Sequence, residues 1–247
     1  MTTLDLNADL GEGLGNDAAL IGIVSSASIA CGGHAGNVET MTAAVRAAHA
    51  AGVSIGAHPG FTDPENFGRQ RLYLDDDELT RQIRTQLEAL ANVAQSEGAT
   101  VRYVKLHGAL ANMAAEEERL ASIAFAAVRS HDANLVILAI DNSAQVTAAE
   151  TLGLAVVREA YADRAYLANG MLVPRSEPGA VLHDTEAIVA RAIRLAESGE
   201  IVAIDGTVFT TTARSLCLHG DTPDAVAIAA ALHAALTQAG IPIISSL

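Results

Sequence analysis

The chain has 247 residues, of which half are apolar and only 3% are aromatic, and its formal net charge is −14. This length suits one large domain with a sizeable core, and the negative charge argues against binding to nucleic acids or to anionic membranes. Two cysteines exclude a disulfide framework, and the lack of a signal segment or a long apolar run predicts a cytoplasmic protein without a membrane span.

Short apolar runs alternate with stretches of helical periodicity along the whole chain. The runs predict strands at Leu4–Leu10, Ser28–Cys31, Val53–His58, Val101–His107, Leu135–Ile140, Val156–Ala160, Ile201–Ile204, Leu216–His219 and Ile241–Ser245. The stretches predict helices at Val38–Ala51, Asp76–Ser96, Glu116–Ser130, Ser143–Leu152, Thr185–Ser198 and Pro223–Ala239. This alternation predicts parallel strands joined by right-handed crossovers, and since no linker interrupts it, we expect one domain over residues 1–247.

Two segments interrupt the alternation, at Pro59–Leu74 and Tyr161–Leu182. Loops of this length in a compact domain are usually functional. The second segment contains Asn169-Gly170 between short apolar runs, which predicts a small hairpin.

Chemically useful side chains follow almost every predicted strand. An open sheet binds ligands at one switch point, whereas a β/α barrel uses the carboxyl ends of nearly all its strands. Asp9, His34, His58, Lys105 and Glu159 lie at or just after different predicted strands. The sequence therefore predicts an α/β, TIM-barrel-like fold of seven to eight mainly parallel strands.

Alternation within the strands places polar side chains on a shared face, opposite the apolar face that meets the helices. The grouped residues are Asp5, Asn7 and Asp9 in the first strand, Tyr103, Lys105 and His107 in the fourth, and Cys217, His219 and Asp221 in a late strand. We expect these polar faces to line the mouth of the barrel.

Four histidines stand beside glycine at predicted strand ends: His34, His58, His107 and His219. Asp9 together with His34 and His58 forms a candidate divalent metal site. No H-x-x-x-H or H-E-x-x-H spacing occurs, so the sequence permits a metal without requiring one. Cys31 lies near His34 as a possible nucleophile, but a small buried thiol is the simpler interpretation.

Lys105 is the only lysine among the 15 basic residues. Because the net charge repels anions at long range, a site for an anionic substrate needs its own cations. Arg69, Arg71, Arg164 and Arg175 lie in the two long loops and, with Lys105, are the candidate cluster for a carboxylate or a phosphate.

The glycine-rich segment Gly11-Glu12-Gly13-Leu14-Gly15 follows the first predicted strand. Its spacing is not that of a dinucleotide loop, and no G-x-x-x-x-G-K-[ST] loop exists in the sequence. The segment is better interpreted as a tight turn that displays Asp9 and Glu12.

These motifs resemble the LamB/YcsF family, which includes the A subunit of bacterial ATP-dependent 5-oxoprolinase. The resemblance rests on Asp5-Leu-Asn-Ala-Asp-Leu-Gly-Glu12, Ala30-Cys-Gly-Gly-His-Ala-Gly36, Gly56-Ala-His-Pro-Gly60, Val104-Lys-Leu-His-Gly-Ala-Leu110, Glu159-Ala-Tyr-Ala-Asp-Arg164, Leu172-Val-Pro-Arg175 and Leu218-His-Gly-Asp-Thr-Pro223. The family usually has aspartate, proline and tyrosine where this chain has Asn37, Leu106 and Ala111, and Ala111 is expected to alter one wall of the pocket.

The resemblance implies a barrel related to the polysaccharide deacetylases and the glycoside hydrolase barrels. It also implies ATP-coupled opening of the 5-oxoproline (pyroglutamate) lactam to glutamate, with ATP as co-substrate, with or without Mg²⁺, and two partner subunits, B and C. The expected catalytic residues are Asp9, Glu12, His34, Lys105 and His107. The expected substrate-binding residues are Asn7, His58, Arg69, Glu159, Asp163, Arg164, Arg175, His219 and Asp221.

Within this chemistry, Asp9 or Glu12 is expected to act as a general base, and Lys105 to neutralise charge on the phosphoryl group or the lactam oxygen. Arg164 or Arg175 is expected to hold the substrate carboxylate. Two other functions are compatible with the sequence. One is a metal-dependent deacetylase or amidase that acts alone, and the other is a non-catalytic subunit that binds substrate.

Overall fold

The structure is a computed structural model that describes residues 3–222 and 224–247. The strands are β1 (Asp5–Leu10), β2 (Ser26–Ala30), β3 (Ser54–His58), β4 (Val101–Val104), β5 (Val136–Ile140), β6 (Val156–Tyr161), β7 (Glu200–Val202), β8 (Val208–Thr210) and β9 (Ser215–Leu218). The helices are α1 (Asp17–Ile21), α2 (Val38–Ala51), α3 (Asp76–Ser96), α4 (Gly108–Glu116), α5 (Glu118–His131), α6 (Ala144–Thr151), α7 (Thr185–Ser198) and α8 (Ala225–Gln238).

Seven strands close into a barrel in the order β1-β2-β3-β4-β5-β6-β9. Every neighbouring pair is parallel, and β9 closes the barrel by pairing with both β1 and β6. The predicted TIM-like barrel is therefore confirmed. The carboxyl ends of all seven strands lie at one end, which is where such barrels build their sites.

The barrel interior is filled by polar and aromatic side chains. The carboxylate of Asp5 accepts hydrogen bonds from Ser25, Ser26 and Ser215. One level higher, the Asn7 amide donates to Glu159 of β6 at 2.8 Å. Alternation thus turns the polar face of β1 inward, as predicted, while Leu6 and Leu10 pack in the hydrophobic core.

Two predicted strands have other structures. The segment predicted at Ile201–Ile204 forms β7, which pairs antiparallel with β8 in a hairpin outside the barrel. The segment predicted at Ile241–Ser245 makes only a single bridge between Ile243 and Leu4. Both predictions rested on apolar runs, and an apolar run does not reveal which neighbour a strand pairs with.

The structure also contains elements that the periodicity did not predict, namely α1, α4 and β8. The helix predicted at Glu116–Ser130 corresponds to α5, while α4 precedes it and begins directly after the β4 loop. The predicted hairpin at Asn169-Gly170 is present as a bridge between Tyr166 and Leu172. Pro223, the predicted start of the last helix, lies outside the described residues.

Among the residues that the structure describes, no helix is both long enough and apolar enough to cross a membrane.

We predict that Gly56→Ala destabilises the barrel, because a Cβ atom at Gly56 in β3 would overlap the ring of Tyr103. Overpacking of this kind costs about 1–3 kcal/mol, which corresponds to roughly 2–4 °C in melting temperature for each kcal/mol in a protein of this size. Thermal unfolding followed by circular dichroism measures it.

The control is Gly22→Ala, where the added Cβ lies 3.4 Å from its nearest neighbour and the backbone φ is negative. A Gly56→Ala variant with the same melting temperature as the control would show that Tyr103 does not pack against this glycine.

Candidate active site

A cavity of about 350 Å³ opens at the carboxyl ends of the barrel strands. Strand ends supply its floor, and the segments after β3, β4 and β6 supply its walls, α4 among them. The polar and aromatic residues that line it are Asp9, His58, Arg69, Arg71, His107, Asn112, Glu116, Tyr161, Arg164, Arg175, Ser176 and His219. Ala111, where the family usually has tyrosine, also lines the cavity.

Lys105 lies beneath the floor and does not line the cavity. Its Nζ lies 2.8 Å from Asp9 Oδ1, 3.0 Å from Glu159 Oε1 and 3.1 Å from Asn7 Oδ1. The Sγ atom of Cys217 lies 2.8 Å from the same nitrogen. An ammonium has only three N–H groups, so Lys105 has none left for a substrate, and we assign it the positioning of Asp9.

The buried charges in this group support one another. Burial favours the neutral acid, but the neighbouring His58 and Lys105 outweigh it and hold the pKa of Asp9 well below its usual range. Burial likewise opposes the charge of Lys105, yet Asp9, Cys217 and Glu159 raise its pKa well above the usual value. Asp9 is therefore a carboxylate at the cavity floor, held by a cation on its buried side.

Three histidines and Glu12 form a second cluster beside Asp9. The rings of His34 and His107 stack with centroids 3.5 Å apart, and His107 Nδ1 lies 2.9 Å from His58 Nε2. His34 Nε2 lies 3.2 Å from Glu12 Oε1. Burial lowers the pKa of His34 to about 2, and burial followed by repulsion from Asp9 raises the pKa of Glu12 to about 9.

The loop after β3 closes over this cluster. The carbonyl oxygen of Phe67 lies 3.0 Å from His107 Nε2, and the Phe67 ring packs edge-on against His34 and His107. Gly68 has a φ of +61°, and a Cβ there would lie 2.6 Å from the Cβ of His34. Glycine is therefore required for the loop to approach the histidines this closely.

On the opposite side, His219 is fixed by Asp163 and Tyr161. His219 Nδ1 lies 2.9 Å from Asp163 Oδ1, and Thr222 donates a hydrogen bond to Asp163 Oδ2. Burial disfavours the charged carboxylate, but His219 and Thr222 outweigh it and lower the pKa of Asp163. The ring of Tyr161 stacks on that of His219 with centroids 5.4 Å apart.

The four loop arginines differ in how their guanidinium groups are used. Arg69 pairs with Asp221 at 2.5 Å, and Arg71 pairs with Glu116. Arg164 donates to the backbone carbonyl oxygens of Val173 and Ala180, within its own loop. Arg175 has no ion pair or side-chain hydrogen bond within residues 3–222 and 224–247. It is therefore the cavity cation that remains available for an anionic ligand.

Two groups of side chains have the composition and spacing of metal ligands. Glu12, His34, His58 and His107 form one, and Asp9, Cys217 and His219 form the other, with the ligand atoms of each group within 4.8 Å of one another. Of the residues predicted from sequence as a metal site, His34 and His58 fall in the first group, and Asp9 falls in the second. Asp9 nevertheless lies beside the first, with Oδ2 3.4 Å from His58 Nε2.

The structure thus brings the predicted site residues to one end of the barrel, some lining the cavity and some supporting those that do. Sequence reasoning missed Tyr161 and Phe67 as site residues. Tyr161 follows Glu159 by two positions in β6, so strand alternation could have found it, whereas Phe67 acts through its carbonyl, which no sequence pattern shows. Cys31 is buried, and burial raises the pKa of its thiol to about 12, as a structural thiol requires.

The chain was compared with known families and solved structures. The model described as LamB/YcsF family matches residues 4–246. A lactam utilization protein from Thermus thermophilus is 38% identical, with a TM-score of 0.92 over 98% of this chain and 99% of that chain.

Two other solved structures share the fold at lower identity. The polysaccharide deacetylase Bc1974 from Bacillus cereus is 13% identical, with a TM-score of 0.56 over 100% of this chain and 93% of that chain. A family 4 carbohydrate esterase from Streptomyces lividans is also 13% identical, with a TM-score of 0.53 over 98% and 91%. At this identity the likeness shows a common barrel and no more.

We predict that Lys105→Met lowers the free energy of unfolding by about 3–5 kcal/mol, because it leaves Asp9 and Glu159 buried without their cation. Glu159→Gln added to Lys105→Met should recover part of this loss, since the double variant buries one charge fewer. Chemical denaturation measures both effects.

Arg102→Met is the matched control, because Arg102 lies in β4, three residues before Lys105, is exposed and has no ion pair among the described residues. Its effect should stay within about 0.5 kcal/mol. A Lys105→Met variant as stable as this control would show that the ammonium does not hold the carboxylates.

Proposed function

The chain belongs to the LamB/YcsF family, and from that membership and the geometry of the cavity we propose that it is the A subunit of an ATP-dependent 5-oxoprolinase. The family and its solved relative support the coarser statement, a lactam-related role as a hydrolase of amide bonds. The finer statement concerns the substrate, 5-oxoproline, which is a small cyclic amide that carries one carboxylate.

The observation that carries the proposal is the pairing of an unengaged cation with a fixed carboxylate in one cavity. Arg175 lines the wall and Asp9 lies at the floor. In a chain of net charge −14, an anionic substrate is retained only where a local cation offsets the overall repulsion. A guanidinium binds a carboxylate through two parallel hydrogen bonds, which would orient the lactam ring toward the floor.

The reaction needs activation because the lactam carbonyl is a poor electrophile. Transfer of the terminal phosphoryl group of ATP to the lactam oxygen gives a leaving group, and water then adds to the carbonyl carbon. Asp9 accepts the proton of that water as general base. The C–N bond breaks and the ring nitrogen takes up a proton, which leaves γ-glutamyl phosphate and ADP. A second water then hydrolyses this acyl phosphate to glutamate and phosphate.

Lys105 supports this step from below. Its bonds to Asp9 and Glu159 fix the orientation of the Asp9 carboxylate. His219, held by Asp163, lies on the other side of the cavity and is placed to move protons at the ring nitrogen.

ATP and the partner subunits belong to the same proposal. The sequence contains no phosphate-binding loop of the recognised kinds, so we propose that ATP, with Mg²⁺, reaches the lactam in an assembly with subunits B and C. A stand-alone metal-dependent amidase or deacetylase is the second candidate, which the histidine and carboxylate cluster favours.

The decisive experiment measures 5-oxoproline-dependent ATP hydrolysis and glutamate formation by this chain, alone and with the two partner subunits. We expect activity in the assembly only, and a loss of about 10²–10⁴-fold in kcat for Asp9→Asn, as for removal of a general base. Turnover by the isolated chain without ATP would support the amidase instead.

Asp141→Asn is the control, because Asp141 is also a strand-end carboxylate but its Oδ2 accepts hydrogen bonds from Thr211 and Thr212 outside the cavity. Full activity of Asp9→Asn in a correctly assembled complex would leave the chain as a non-catalytic, substrate-binding subunit.

We predict that Arg175→Ala raises KM for 5-oxoproline by roughly 10- to 150-fold, since a hydrogen bond to a charged group contributes about 1.5–3 kcal/mol. The effect on kcat should be smaller, because the substrate carboxylate takes no part in the bonds that form and break. Steady-state kinetics of the assembled complex separate the two constants.

Arg46→Ala serves as the control, because Arg46 is exposed and pairs with Glu97 on the helical surface. An unchanged KM in Arg175→Ala would exclude Arg175 as the carboxylate ligand.

A further inference from the structure

We propose that Glu12, His34, His58 and His107 bind one divalent transition-metal ion at the floor of the cavity, with Asp9 at its edge. The site is smaller than the cavity and lies on the side of the floor that the loop after β3 covers. The metal site lies in the same cavity as the proposed active site. Metal binding is inferred independently of the proposed function, and only the part that the ion would take in the reaction rests on that function.

The first step concerns which ring nitrogen of His58 and of His107 carries a proton. The hydrogen bonds that the two rings make to backbone carbonyl oxygens determine this. His58 Nδ1 lies 2.8 Å from the carbonyl oxygen of Lys105, and His107 Nε2 lies 3.0 Å from that of Phe67. A carbonyl oxygen only accepts hydrogen bonds. Each of these nitrogens therefore carries a proton, and in a neutral ring the other nitrogen carries a lone pair.

The second step concerns the direction of the remaining ring nitrogens, His58 Nε2 and His107 Nδ1. His58 Nε2 and His107 Nδ1 face each other at 2.9 Å. Asp9 Oδ2 lies 3.4 Å from the same His58 nitrogen, and Glu12 Oε1 lies 3.7 Å from the His107 nitrogen. Two imidazole nitrogens and two carboxylate oxygens thus converge, an arrangement that needs a positive centre among them, either a proton or a metal ion.

The third step is spacing. Ligand atoms about 2.0–2.2 Å from one ion lie roughly 3.0–3.5 Å from their neighbours in tetrahedral or octahedral coordination. His58 Nε2 and His107 Nδ1 are 2.9 Å apart, and His34 Nε2 and Glu12 Oε1 are 3.2 Å apart. All four ligand atoms lie within 4.8 Å of one another, so one ion can reach them with small side-chain adjustments.

The surroundings have the form that metal-binding histidines require. Such histidines donate their other N–H to a carbonyl or a carboxylate, which fixes the ring and the tautomer. His58 and His107 do this with backbone carbonyls. His34 Nδ1 has no hydrogen-bond partner among the described residues, so its proton can reside there while Nε2 faces Glu12.

The ligand types indicate which ions fit. Three imidazoles with one carboxylate suit Zn²⁺, Co²⁺ or Mn²⁺ better than Mg²⁺ or Ca²⁺, which prefer oxygen ligands. An ion here would lie at the cavity floor beside Asp9, where a Lewis acid polarises an amide oxygen. The Mg²⁺ that accompanies ATP would be a separate ion.

The test is a titration of the full chain with Co²⁺ after removal of bound metal by a chelator. We expect about one equivalent to bind and to give visible absorption bands. Loss of an outer hydrogen-bond partner of a metal ligand weakens metal binding by about 10- to 100-fold. His107→Ala and Glu12→Gln each remove a ligand itself, so each should weaken Co²⁺ binding by more than that. Thermal melting checks that each variant is folded.

His131→Ala is the matched control, because His131 ends α5 outside the cavity, and it should bind Co²⁺ like the unaltered chain. The unaltered Co²⁺ protein provides a second measurement that needs no variant. Its proton NMR spectrum should show slowly exchanging, paramagnetically shifted N–H signals from imidazoles bonded to backbone carbonyls.

Three results would overturn the proposal: no stoichiometric binding, equal binding by all variants, or an imidazolium at His58 in nitrogen NMR of a chain that does not take up Co²⁺. The last result would identify a proton as the positive centre. Because the readout is binding, a failed metal site leaves ATP-dependent lactam opening untouched, and the loss of that activity leaves the metal site untouched.

Discussion

The ammonium group of Lys105 is the interaction on which the rest of the site depends. It contacts residues of β1, β6 and β9, while its own residue directly follows β4. Carboxylates as deeply buried as Asp9 and Glu159 are unfavourable without a cation. A closed barrel brings strands that are distant in sequence around a single point, so one lysine after β4 can serve carboxylates of β1 and β6.

This arrangement explains why a polar floor is compatible with a stable barrel. The outward faces of the strands and the inward faces of the helices form a continuous apolar layer, which supplies the hydrophobic stabilisation. The interior is then free to carry polar residues at several levels, provided that each has partners. Asp5 with its serines, Tyr103 with Ser28, and Asn7 with Glu159 meet that condition.

Strand alternation was sufficient to predict the barrel and the polar faces of β1, β4 and β9, because side-chain direction follows from position in a strand. It could not show depth along the barrel axis, so the sequence placed Lys105 among substrate-binding cations, whereas it lies below the floor. Nor could it show pairing between loops. Arg69, Arg71, Arg164 and Arg175 are equivalent in sequence, and only the folded loops reveal which guanidinium is left without a partner.

The two halves of the cavity floor differ in a way that follows from hydrogen-bond counting. Around Lys105 the hydrogen-bond donors and acceptors nearly match, so this half of the floor needs no ligand from outside the chain. The exception is one oxygen of Glu159, which has no partner among the described residues. Around His58 and His107 the acceptors exceed the donors when both rings are neutral, since backbone carbonyls hold the ring protons on the far side. A site with more lone pairs than donors can bind a cation from outside the chain. A site with a guanidinium that has no partner among the described residues can bind an anion. The cavity has both, with Asp9 at its floor, which is the arrangement that the proposed reaction needs to bind a carboxylate and to polarise an amide.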